Sequence, residues 1–507
     1  MNIFLVYVRD ANFYQMLPAG QDRAGFPENR VKVMAFPPLS IQVLAPILRQ
    51  RGHKVHMFDM CHPEMKLEHI AKAVASEKPD VIALSFLSAT TYQETKKVAK
   101  HLKGINPAIP VIVGGPFATI NAEKILKDCV YIDCVGVGEG EELFPEYLDN
   151  IEHPGSVAGL VWRSAGKIVK NTARPLLQDL DKYPYPDRNT LPIDYIESLP
   201  LDVPAVLSMD KFCTIQTSRG CPYSCIFCNI PLLLQHKSRC RSAEHVLGEL
   251  QELYDMGYRS VYFTDEHFLL NGKRINEICQ GMIERNLKFR WGCEGRVDSA
   301  AIDQMPIMSK ANCKFLAFGI EAGTQKVLDR LKKRQTLAQI QHAINEAKRH
   351  GIERVHGFFL IGSPDETKED ILSSFRFAAR LKLDTFGFNR LCVYRGSPLW
   401  QEYVTRSIVD DDRDWDKGFK CSDIDPTVLP SETINAIRKK GYTLLFGYRI
   451  LGRPIQSLKL LFSFGKFMKM ADIIKILISP FIKRKNTRRY AVTARMDDLG
   501  LKEPDRT

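Results

Sequence analysis

The sequence predicts an α/β protein with two successive parallel-strand domains and a basic helical end. Short apolar runs alternate with amphipathic helical patterns over residues 1–150, and six further strand–helix repeats follow over residues 201–395. The first set predicts a doubly wound, Rossmann-like sheet, and the second predicts a partial (β/α)6 barrel of the TIM type. Residues 151–200 are expected to form a linker, and residues 396–507 a helical basic region.

The first domain is predicted from five apolar runs and four helical patterns between them. The predicted strands are Asn2–Val8, Lys54–Asp59, Val81–Ser85, Val111–Val113 and Tyr131–Val135. The predicted helices are Ile41–Arg51, Leu67–Ser76, Tyr92–Leu102 and Asn121–Lys127. Ligands of doubly wound sheets bind outside the carboxyl ends of the strands, so the residues that follow the strands are the candidate contacts.

Small residues and glycines follow the last three strands of this domain. Ser85 and Leu87 follow the third strand, Gly114 and Gly115 the fourth, and Gly138 and Glu139 the fifth. Such residues let the backbone approach a large flat ligand closely, although ordinary turns also need glycine. After these strands, the linker contains a predicted hairpin, Gly159–Trp162 with Lys167–Val169.

The second domain is predicted from six further strands with amphipathic helices between them. The strands are Cys213–Thr217, Ser260–Thr264, Arg290–Glu294, Phe315–Ile320, Arg354–Leu360 and Thr385–Leu391, and examples of the helices are Ala243–Asp255, Arg274–Glu284, Leu337–His350 and Lys368–Leu381. Barrel chemistry takes place at the C-terminal ends of the strands. Three cysteines follow the first strand, which is where that rule would place reactive groups.

The three cysteines, Cys221, Cys225 and Cys228, have the spacing Cys-x3-Cys-x2-Cys. Iron–sulfur cubes normally take four thiolates, so three leave one iron open to a substrate or cosubstrate. A zinc site completed by His236 or Cys240 is an alternative, but the x3 gap fits the usual Cys-x2-Cys pairing poorly. Ordinary buried thiols are a second alternative.

This motif, with Phe227 before the last cysteine, resembles the signature of radical S-adenosylmethionine (SAM) enzymes. The resemblance implies a 4Fe–4S cluster whose free iron binds SAM and whose electron cleaves it to methionine and a 5′-deoxyadenosyl radical. It also implies that Phe227 helps to hold the adenine. The same resemblance suggests that Glu321 and Gly323 contact the ribose and amino acid portions of SAM, and that Gly362 and Glu366 lie in the strand motif along the adenine.

The first domain resembles the cobalamin-binding domain that precedes the barrel in B12-dependent members of this family. Ser85 and Leu87 match its Ser-x-Leu, which lines the dimethylbenzimidazole tail, and Gly114 and Gly115 match its glycine pair near the nucleotide loop. The family's Asp-x-His-x-x-Gly after the first strand has no counterpart in Asp10–Gln15, so the resemblance implies a lower cobalt face without a histidine ligand. A degenerate domain that binds no cobalamin is the alternative.

Charge is concentrated near the end of the chain. The net charge is +12, and residues 438–490 contain 14 Lys or Arg and a single acid, Asp472. Interleaved apolar residues make this segment a basic amphipathic pattern, which predicts contact with an anionic membrane, a partner-binding helix, or a helix packed on the barrel with its basic face in water. Aromatic–basic stacking platforms for nucleic acid are not evident. The acidic run from Asp410 to Asp416 predicts a solvated loop or helix start.

The cysteines are scattered, no apolar run is long enough to span a bilayer, and the start lacks a signal-peptide pattern. A cytoplasmic location, with peripheral contact at the inner face of the membrane, is therefore expected. Arg239 and Arg241, which follow the cysteine loop, are expected either to hold the SAM carboxylate or to be solvated.

Taken together, the resemblance implies a radical SAM C-methyltransferase that uses cobalamin as methyl carrier and takes electrons from a flavodoxin or ferredoxin. Relatives acting on hopanoids and tetrapyrroles, and the apolar basic tail, suggest a hydrophobic substrate. A cyclase or rearrangement enzyme of the same architecture, such as the anaerobic porphyrin ester cyclase, is the main alternative. A methylthiotransferase is disfavoured because Cys61, Cys129 and Cys134 are too widely spaced for a second cluster, and the open cluster site argues against a non-enzymatic B12 or zinc-binding regulator.

Overall fold

The structure, a computed structural model, describes residues 1–8, 14–16, 30–32, 38–62, 65–191 and 211–452. Its first domain is a seven-stranded sheet with helices on both faces. The strands are β1 (Asn2–Tyr7), β2 (Lys54–Asp59), β3 (Val81–Ser85), β4 (Val111–Gly114), β5 (Cys134–Gly136), β6 (Leu160–Ser164) and β7 (Lys167–Lys170). The helices are α1 (Leu39–Gln50), α2 (Leu67–Glu77), α3 (Ala89–Ile105), α4 (Pro116–Asp128) and α5 (Gly140–Asp149).

The strand order is β2-β1-β3-β4-β5-β6-β7, and the first five strands are parallel. Both faces of this sheet are buried. Along β1, Phe4 and Val6 belong to one core cluster, whereas Ile3 and Leu5 belong to the cluster on the opposite face. This burial on both faces explains why the strands read as continuous apolar runs, and the doubly wound prediction is confirmed.

The predicted hairpin forms as β6 and β7, which pair antiparallel with each other and extend the first sheet at β5. A residue range assigned to a linker therefore supplies two strands of the first sheet. The hairpin was predicted to lie outside the first domain because the strand–helix repeats end before it. A hairpin can nevertheless join a sheet, since it needs no crossover helix. Two further short strands, Tyr14–Met16 and Arg30–Lys32, pair antiparallel with each other.

The second domain is an open barrel of six parallel strands in sequential order. The strands are β8 (Phe212–Ile215), β9 (Ser260–Phe263), β10 (Arg290–Gly295), β11 (Cys313–Glu321), β12 (Arg354–Ile361) and β13 (Thr385–Arg390). The main helices around them are α6 (Ala243–Asp255), α7 (Gly272–Glu284), α8 (Leu337–Arg349) and α9 (Lys368–Arg380). Shorter helical segments are Ile230–Leu233, Phe268–Leu270, Ala300–Gln304, Met305–Lys310 and Gln325–Arg330.

The barrel does not close, because β8 and β13 are the two edges of the sheet. The backbone N–H of Phe388 in β13 donates to the Tyr442 hydroxyl at 3.1 Å. At the other edge, the Thr214 carbonyl of β8 accepts from the Arg188 guanidinium at 2.6 Å. Side chains from outside the sheet therefore bind backbone groups on both edge strands. The prediction of a partial (β/α)6 barrel is confirmed.

The segment after the barrel contains α10 (Pro398–Thr405), the short helix Cys421–Ile424 and α11 (Ser431–Gly452), and Cys392–Val393 pairs with Phe419–Lys420. Part of this segment docks on the first domain. Trp415 joins the core cluster of the first sheet, with its ring centroid 5.3 Å from that of Tyr92 and 6.0 Å from that of Phe117. The chain after the barrel thus connects the two domains a second time.

The acidic run is a docking segment and not simply the solvated loop that was expected. Arg395 donates two hydrogen bonds to Asp411, each 2.8 Å long, and Lys124 of α4 lies 2.7 Å from an Asp412 oxygen. Gln93 of α3 donates to Asp416 at 2.8 Å. The hydrogen bonds from Arg395 hold the pKa of Asp411 well below its ordinary value. Composition alone could not reveal partners that lie about 300 residues away in the chain.

Of the basic segment, residues 453–490 lie outside the described residues, and residues 438–452 belong to α11. On α11, Ile434, Ile437 and Leu445 are buried in the barrel core, whereas Leu444 and Tyr448 are about half exposed, at 52% and 56%. None of the helices in the described ranges is long and apolar enough to cross a membrane.

Candidate functional site

The chain leading into the cysteine loop is held by one buried carboxylate at the end of β9. Asp265 accepts hydrogen bonds from the Thr217 backbone N–H at 2.6 Å, the Thr217 hydroxyl at 2.5 Å and the Ser218 hydroxyl at 2.6 Å. Burial raises the pKa of Asp265, and these hydrogen bonds partly offset that effect by stabilising the ionised form. Neighbouring strands β8 and β9 are parallel, so their C-terminal ends meet and this contact is local to the sheet.

The next residue that fixes the loop is Gly220, immediately before the first cysteine. Its φ is +93°, and its backbone N–H donates to Glu266 at 3.1 Å. A Cβ atom at this position would overlap the carbonyl oxygen of Lys237. Glycine is therefore required both by the backbone conformation and by the close approach of the Lys237 backbone.

Farther along, the loop is tied to the barrel at Ile226, the first of the two residues between the second and third cysteines. The Ile226 N–H donates to the Leu331 carbonyl at 3.1 Å, and the Ile226 carbonyl accepts from the Leu399 N–H at 2.8 Å. Ile226 is buried in the barrel core, and Phe227 is half-buried against the same core. Phe227 thus has a packing contact, and its expected contact with adenine stays a prediction.

The three thiols of Cys221, Cys225 and Cys228 lie close enough to influence one another. Burial, with smaller contributions from the neighbouring cysteines, raises the pKa of Cys221 and raises that of Cys228 to about 11. Among the described residues, no group of three or more Cys, His, Asp or Glu converges on a single metal-ion position. An iron–sulfur cube takes one thiolate per iron, so its ligands surround a volume instead of converging on one ion. Metal binding deprotonates a coordinating thiol. Three partly buried thiols in one loop therefore fit a cube with one free corner.

Polar residues at the ends of β10 and β11 lie beside this loop. Arg296 is buried, and its Nη1 donates to Sγ of Cys225 at 3.5 Å. Its guanidinium lies 3.7 Å from the ring centroid of Tyr223, which is in the cysteine loop. In the sequence, Arg296 is distinguished only by its place just after the predicted strand Arg290–Glu294. Its contact with Cys225 could not be predicted, because residues 71 positions apart meet only when the strands of the open barrel assemble side by side.

Glu321 has the left-handed φ of +68° at the end of β11, where the register with β12 is irregular. Its carboxylate forms a buried ion pair with Lys333, 2.7 Å from Nζ. Gly323 packs against α9, and its N–H donates to the Ser374 hydroxyl at 2.8 Å. The structure places these predicted SAM contacts at the C-terminal edge of the barrel and gives Gly323 a packing role.

Glu366 shapes the turn after β12. One of its oxygens accepts from the N–H groups of Gly362, at 2.6 Å, and Ser363, at 3.0 Å. Burial raises the pKa of Glu366 to about 7, and its other oxygen has no hydrogen-bond partner. Gly362 has a φ of +80°, which the tight turn requires. A buried acceptor without a partner beside the strand end is compatible with the predicted cosubstrate contact.

In the first domain, the predicted corrin contacts share one edge of the sheet. Ser85 and Gly114 are register partners at the ends of β3 and β4, and Ser85 is hydrogen-bonded to Ser40 through their hydroxyls, 2.9 Å apart. The side chain of Leu87 is 45% exposed, so it offers an apolar contact at this edge of the sheet. A Cβ at Gly114 would meet open space, whereas one at Gly115 would overlap the Phe86 carbonyl oxygen. Among the described residues, this edge therefore offers open space at Gly114 and an exposed apolar side chain at Leu87, as a flat ligand would need.

Glu139 serves a different purpose from the predicted cofactor contact. Its carboxylate accepts from Arg219 at 2.9 Å, from Arg239 at 2.7 Å and from the Leu177 N–H at 2.8 Å. Burial alone would raise its pKa, but the two arginines hold the pKa of Glu139 below its ordinary value. Both oxygens are engaged, so Glu139 joins the edge of the first sheet to the chain two residues before Cys221. Gly138 beside it is exposed, with open space around its Cα.

The two arginines after the cysteine loop are buried, so the expectation that they are solvated is wrong. Arg239 is buried against Glu139 and the Leu177 carbonyl. Arg241 is buried against Glu249, 2.5 Å from its carboxylate, and the Gln216 carbonyl. Both are engaged in ion pairs within the protein and neither is solvated, and their expected contact with the SAM carboxylate stays a prediction.

The chain matches two family models. The B12 binding domain matches residues 33–148, and the radical SAM superfamily matches residues 215–378. An uncharacterized methyltransferase from Pyrococcus horikoshii is 31% identical over 414 residues, which are 80% of this chain and 87% of that protein. The anaerobic magnesium-protoporphyrin IX monomethyl ester cyclase of Rubrivivax gelatinosus is 26% identical, over 72% of this chain and 66% of the cyclase.

Hopanoid C-3 methylase from Methylococcus capsulatus is 25% identical over 66% of this chain and 62% of its own length. Among solved structures, the radical SAM methyltransferase TsrM from Kitasatospora setae, with cobalamin and a 4Fe–4S cluster bound, superposes with a TM-score of 0.66. That match covers 80% of this chain and 78% of TsrM at 16% identity, so it shows a shared fold.

Replacing Gly220 by alanine is expected to impair cluster assembly. The strained φ costs about 1–3 kcal/mol, and the Lys237 carbonyl must also move, which displaces the loop next to Cys221. Iron bound per chain after anaerobic reconstitution should fall to about half or less. Gly257→Ala is the matched control, because Gly257 has a similar φ of +86° but open space around it. Equal iron contents in the two variants would contradict the assigned role of the Lys237 contact.

Proposed function

This chain belongs to the radical SAM enzymes that carry a B12-binding domain, and from that premise we propose that it methylates an unactivated carbon of a hydrophobic substrate. One observation carries the proposal. The ion pairs of Glu139 join the ligand-binding edge of the first sheet to the loop of Cys221, Cys225 and Cys228. Such an arrangement would bring a methyl carrier on the first domain close to a radical-generating center on the second.

The residues present fit both groups. Cys221, Cys225 and Cys228 would hold the cluster, and the edge formed by Ser85, Leu87, Gly114 and Gly115 would hold the corrin tail. When bound, the cluster supplies the electron that cleaves SAM, and cobalamin supplies the methyl group. The protein's part is to fix these ligands: Asp265 and Gly220 hold the cysteine loop, and the Lys333–Glu321 pair keeps a buried carboxylate at the strand end where the SAM ribose and amino acid are expected.

The inner face of the barrel supports a largely apolar substrate with a polar group. Tyr262 and Phe315 have ring centroids 6.0 Å apart, and His356 contacts Phe358 with centroids 4.5 Å apart. Within this aromatic wall, the Tyr262 hydroxyl donates to Glu294 at 2.6 Å. Burial raises the pKa of Glu294, yet its side chain remains exposed to solvent. A side chain that is surrounded by protein and still accessible to water lines an internal space. Binding sites typically combine apolar walls with a few polar groups of this kind.

Exposed apolar side chains on both domains support the same substrate class. Leu87 of the first domain, Leu232 after the cysteine loop and Tyr394 after the barrel are 45%, 58% and 48% exposed. Curated relatives include a hopanoid methylase and a porphyrin ester cyclase, whose substrates are large and hydrophobic. The cyclase relative also makes ring closure without net methyl transfer a second candidate reaction.

Deuterated-methyl SAM distinguishes the two reactions. Anaerobic, reconstituted protein with cobalamin and a reduced flavodoxin should place the deuterated methyl group in the product formed from a hydrophobic cell extract, as read by mass spectrometry. The Cys225→Ala variant should lose 5′-deoxyadenosine formation at least about a hundredfold, because one iron loses its ligand. A product without label would support ring closure, and undiminished 5′-deoxyadenosine in the variant would remove the cluster assignment.

Cobalamin binding can be tested at Gly114 without disturbing the fold. Because a Cβ there meets open space, Gly114→Ala should leave the unfolding temperature unchanged while weakening hydroxocobalamin binding about tenfold or more by occupying the ligand's space. Gly104→Ala is the control, since Gly104 also faces open space but lies near the end of α3, away from the strand ends. Unchanged cobalamin affinity in Gly114→Ala would place the corrin elsewhere or exclude it.

Membrane contact through residues 438–490 is part of the proposal, supported on α11 by exposed Leu444 and Tyr448 beside exposed Lys439 and Lys440. Attraction to an anionic surface contributes roughly 1 kcal/mol per basic residue. The full chain should float with vesicles containing anionic lipid and remain unbound with neutral vesicles. The Lys439→Glu/Lys440→Glu variant should float less, and equal flotation with both vesicle types would argue against electrostatic contact.

A further inference from the structure

Among the contacts of the described residues, Arg296 is the cationic side chain that donates a hydrogen bond to a cysteine of the loop. It follows β10, is 5% exposed, and directs Nη1 at Sγ of Cys225 at 3.5 Å, a normal distance for a hydrogen bond to sulfur. The flat face of its guanidinium lies 3.7 Å from the Tyr223 ring centroid. Tyr223 is between Cys221 and Cys225 in sequence, so Arg296 touches the loop at two points.

The guanidinium is held in this orientation by its remaining donors. Asp298 accepts from Nε at 2.9 Å and from Nη2 at 2.8 Å, in a bidentate arrangement, and the Lys333 carbonyl also accepts from Nη2. A planar fork fixed on two sides has little freedom to turn away from the sulfur. The contact with Cys225 is therefore built into the fold and is not the chance position of a mobile side chain.

The local charges indicate what this contact can do. Arg296 is paired with Asp298, and the neighbouring Lys333 with Glu321 at 2.7 Å, so each cation has its own anion. Little net positive charge remains to attract a diffusing anion, whereas the directed N–H still acts on Cys225 at short range. Hydrogen bonds to cluster sulfurs are among the features that set the reduction potential, and charge-assisted ones are the strongest.

We propose that Arg296 raises the reduction potential of the cluster through its hydrogen bond to Cys225. One-electron reduction adds a negative charge to the cluster and its thiolates, and a cationic donor at the sulfur stabilises the reduced form more than the oxidised form. The electron comes from a low-potential one-electron protein donor, and no proton or bond change accompanies this step. Arg296 is thus a positioning and tuning residue, and the inference rests on the proposed cluster at Cys221, Cys225 and Cys228.

The test is a redox titration of the reconstituted full chain without SAM, followed by electron paramagnetic resonance. Arg296→Gln should disfavour reduction about tenfold, which is 59 mV toward more negative potential for a one-electron couple. Arg296→Lys, which keeps a cationic donor, should have a reduction potential close to that of the unmodified chain. Asp298→Asn, which removes the compensating anion, should move the potential in the opposite direction from Arg296→Gln.

Arg188→Gln is the matched control, because Arg188 is equally buried and ion-paired, with Glu249, but contacts none of the three cysteines in the described structure. The cluster in the Arg188→Gln variant should have the same reduction potential as the cluster in the unmodified chain. An unchanged potential in Arg296→Gln, or shifts of the same sign in Arg296→Gln and Asp298→Asn, would overturn the inference. If Arg296→Gln retains no cluster, the shift of Asp298→Asn toward more positive potential decides, and its absence would overturn the inference. Failure of the unmodified chain to bind four irons would instead contradict the proposed function.

Discussion

The relative placement of the two domains depends on a buried ion-pair cluster between Glu139, Glu141, Arg219 and Arg239. Arg219 bonds both glutamates at once, and Glu139 in turn binds Arg239. Removing such charges from water is costly, so a buried cluster of this kind contributes more to a defined geometry than to stability. Glu139 follows the last parallel strand of the first sheet, and Arg219 precedes Cys221. The cluster therefore sets the distance over which the two cofactor sites would cooperate.

The second connection between the domains has a different physical basis. Trp415 packs among aromatic residues of the first domain, while Asp411 and Asp412 bind Arg395 and Lys124 around it. An apolar contact is insensitive to direction, whereas the surrounding ion pairs require particular partners. The first domain is thus held from both sides, by the start of the barrel and by the segment that follows it. Independent movement of the domains would require both connections to break.

The sequence predicted the architecture well because the signals were local. Apolar strands and amphipathic helices in repeated order define both sheets, and the cysteine spacing defines the loop after β8 without any tertiary information. Pairings between distant residues could not be read in this way. Glu139 looked like a cofactor contact because it follows a strand end, and only the fold shows that Arg219 and Arg239 occupy it. Arg239, Arg241 and the acidic run were misread for the same reason, since charge in a sequence does not disclose its partner.

The open barrel has a consequence for the behaviour of the chain in a crowded solution. A sheet edge offers unpaired backbone groups that can recruit strands from other molecules, and a closed barrel avoids this hazard by having no edge. Here Tyr442 and Arg188 each bind a backbone group on one edge strand, in place of a further strand. The protein can in this way keep its barrel open and still limit intermolecular β-pairing and aggregation at the two edge strands.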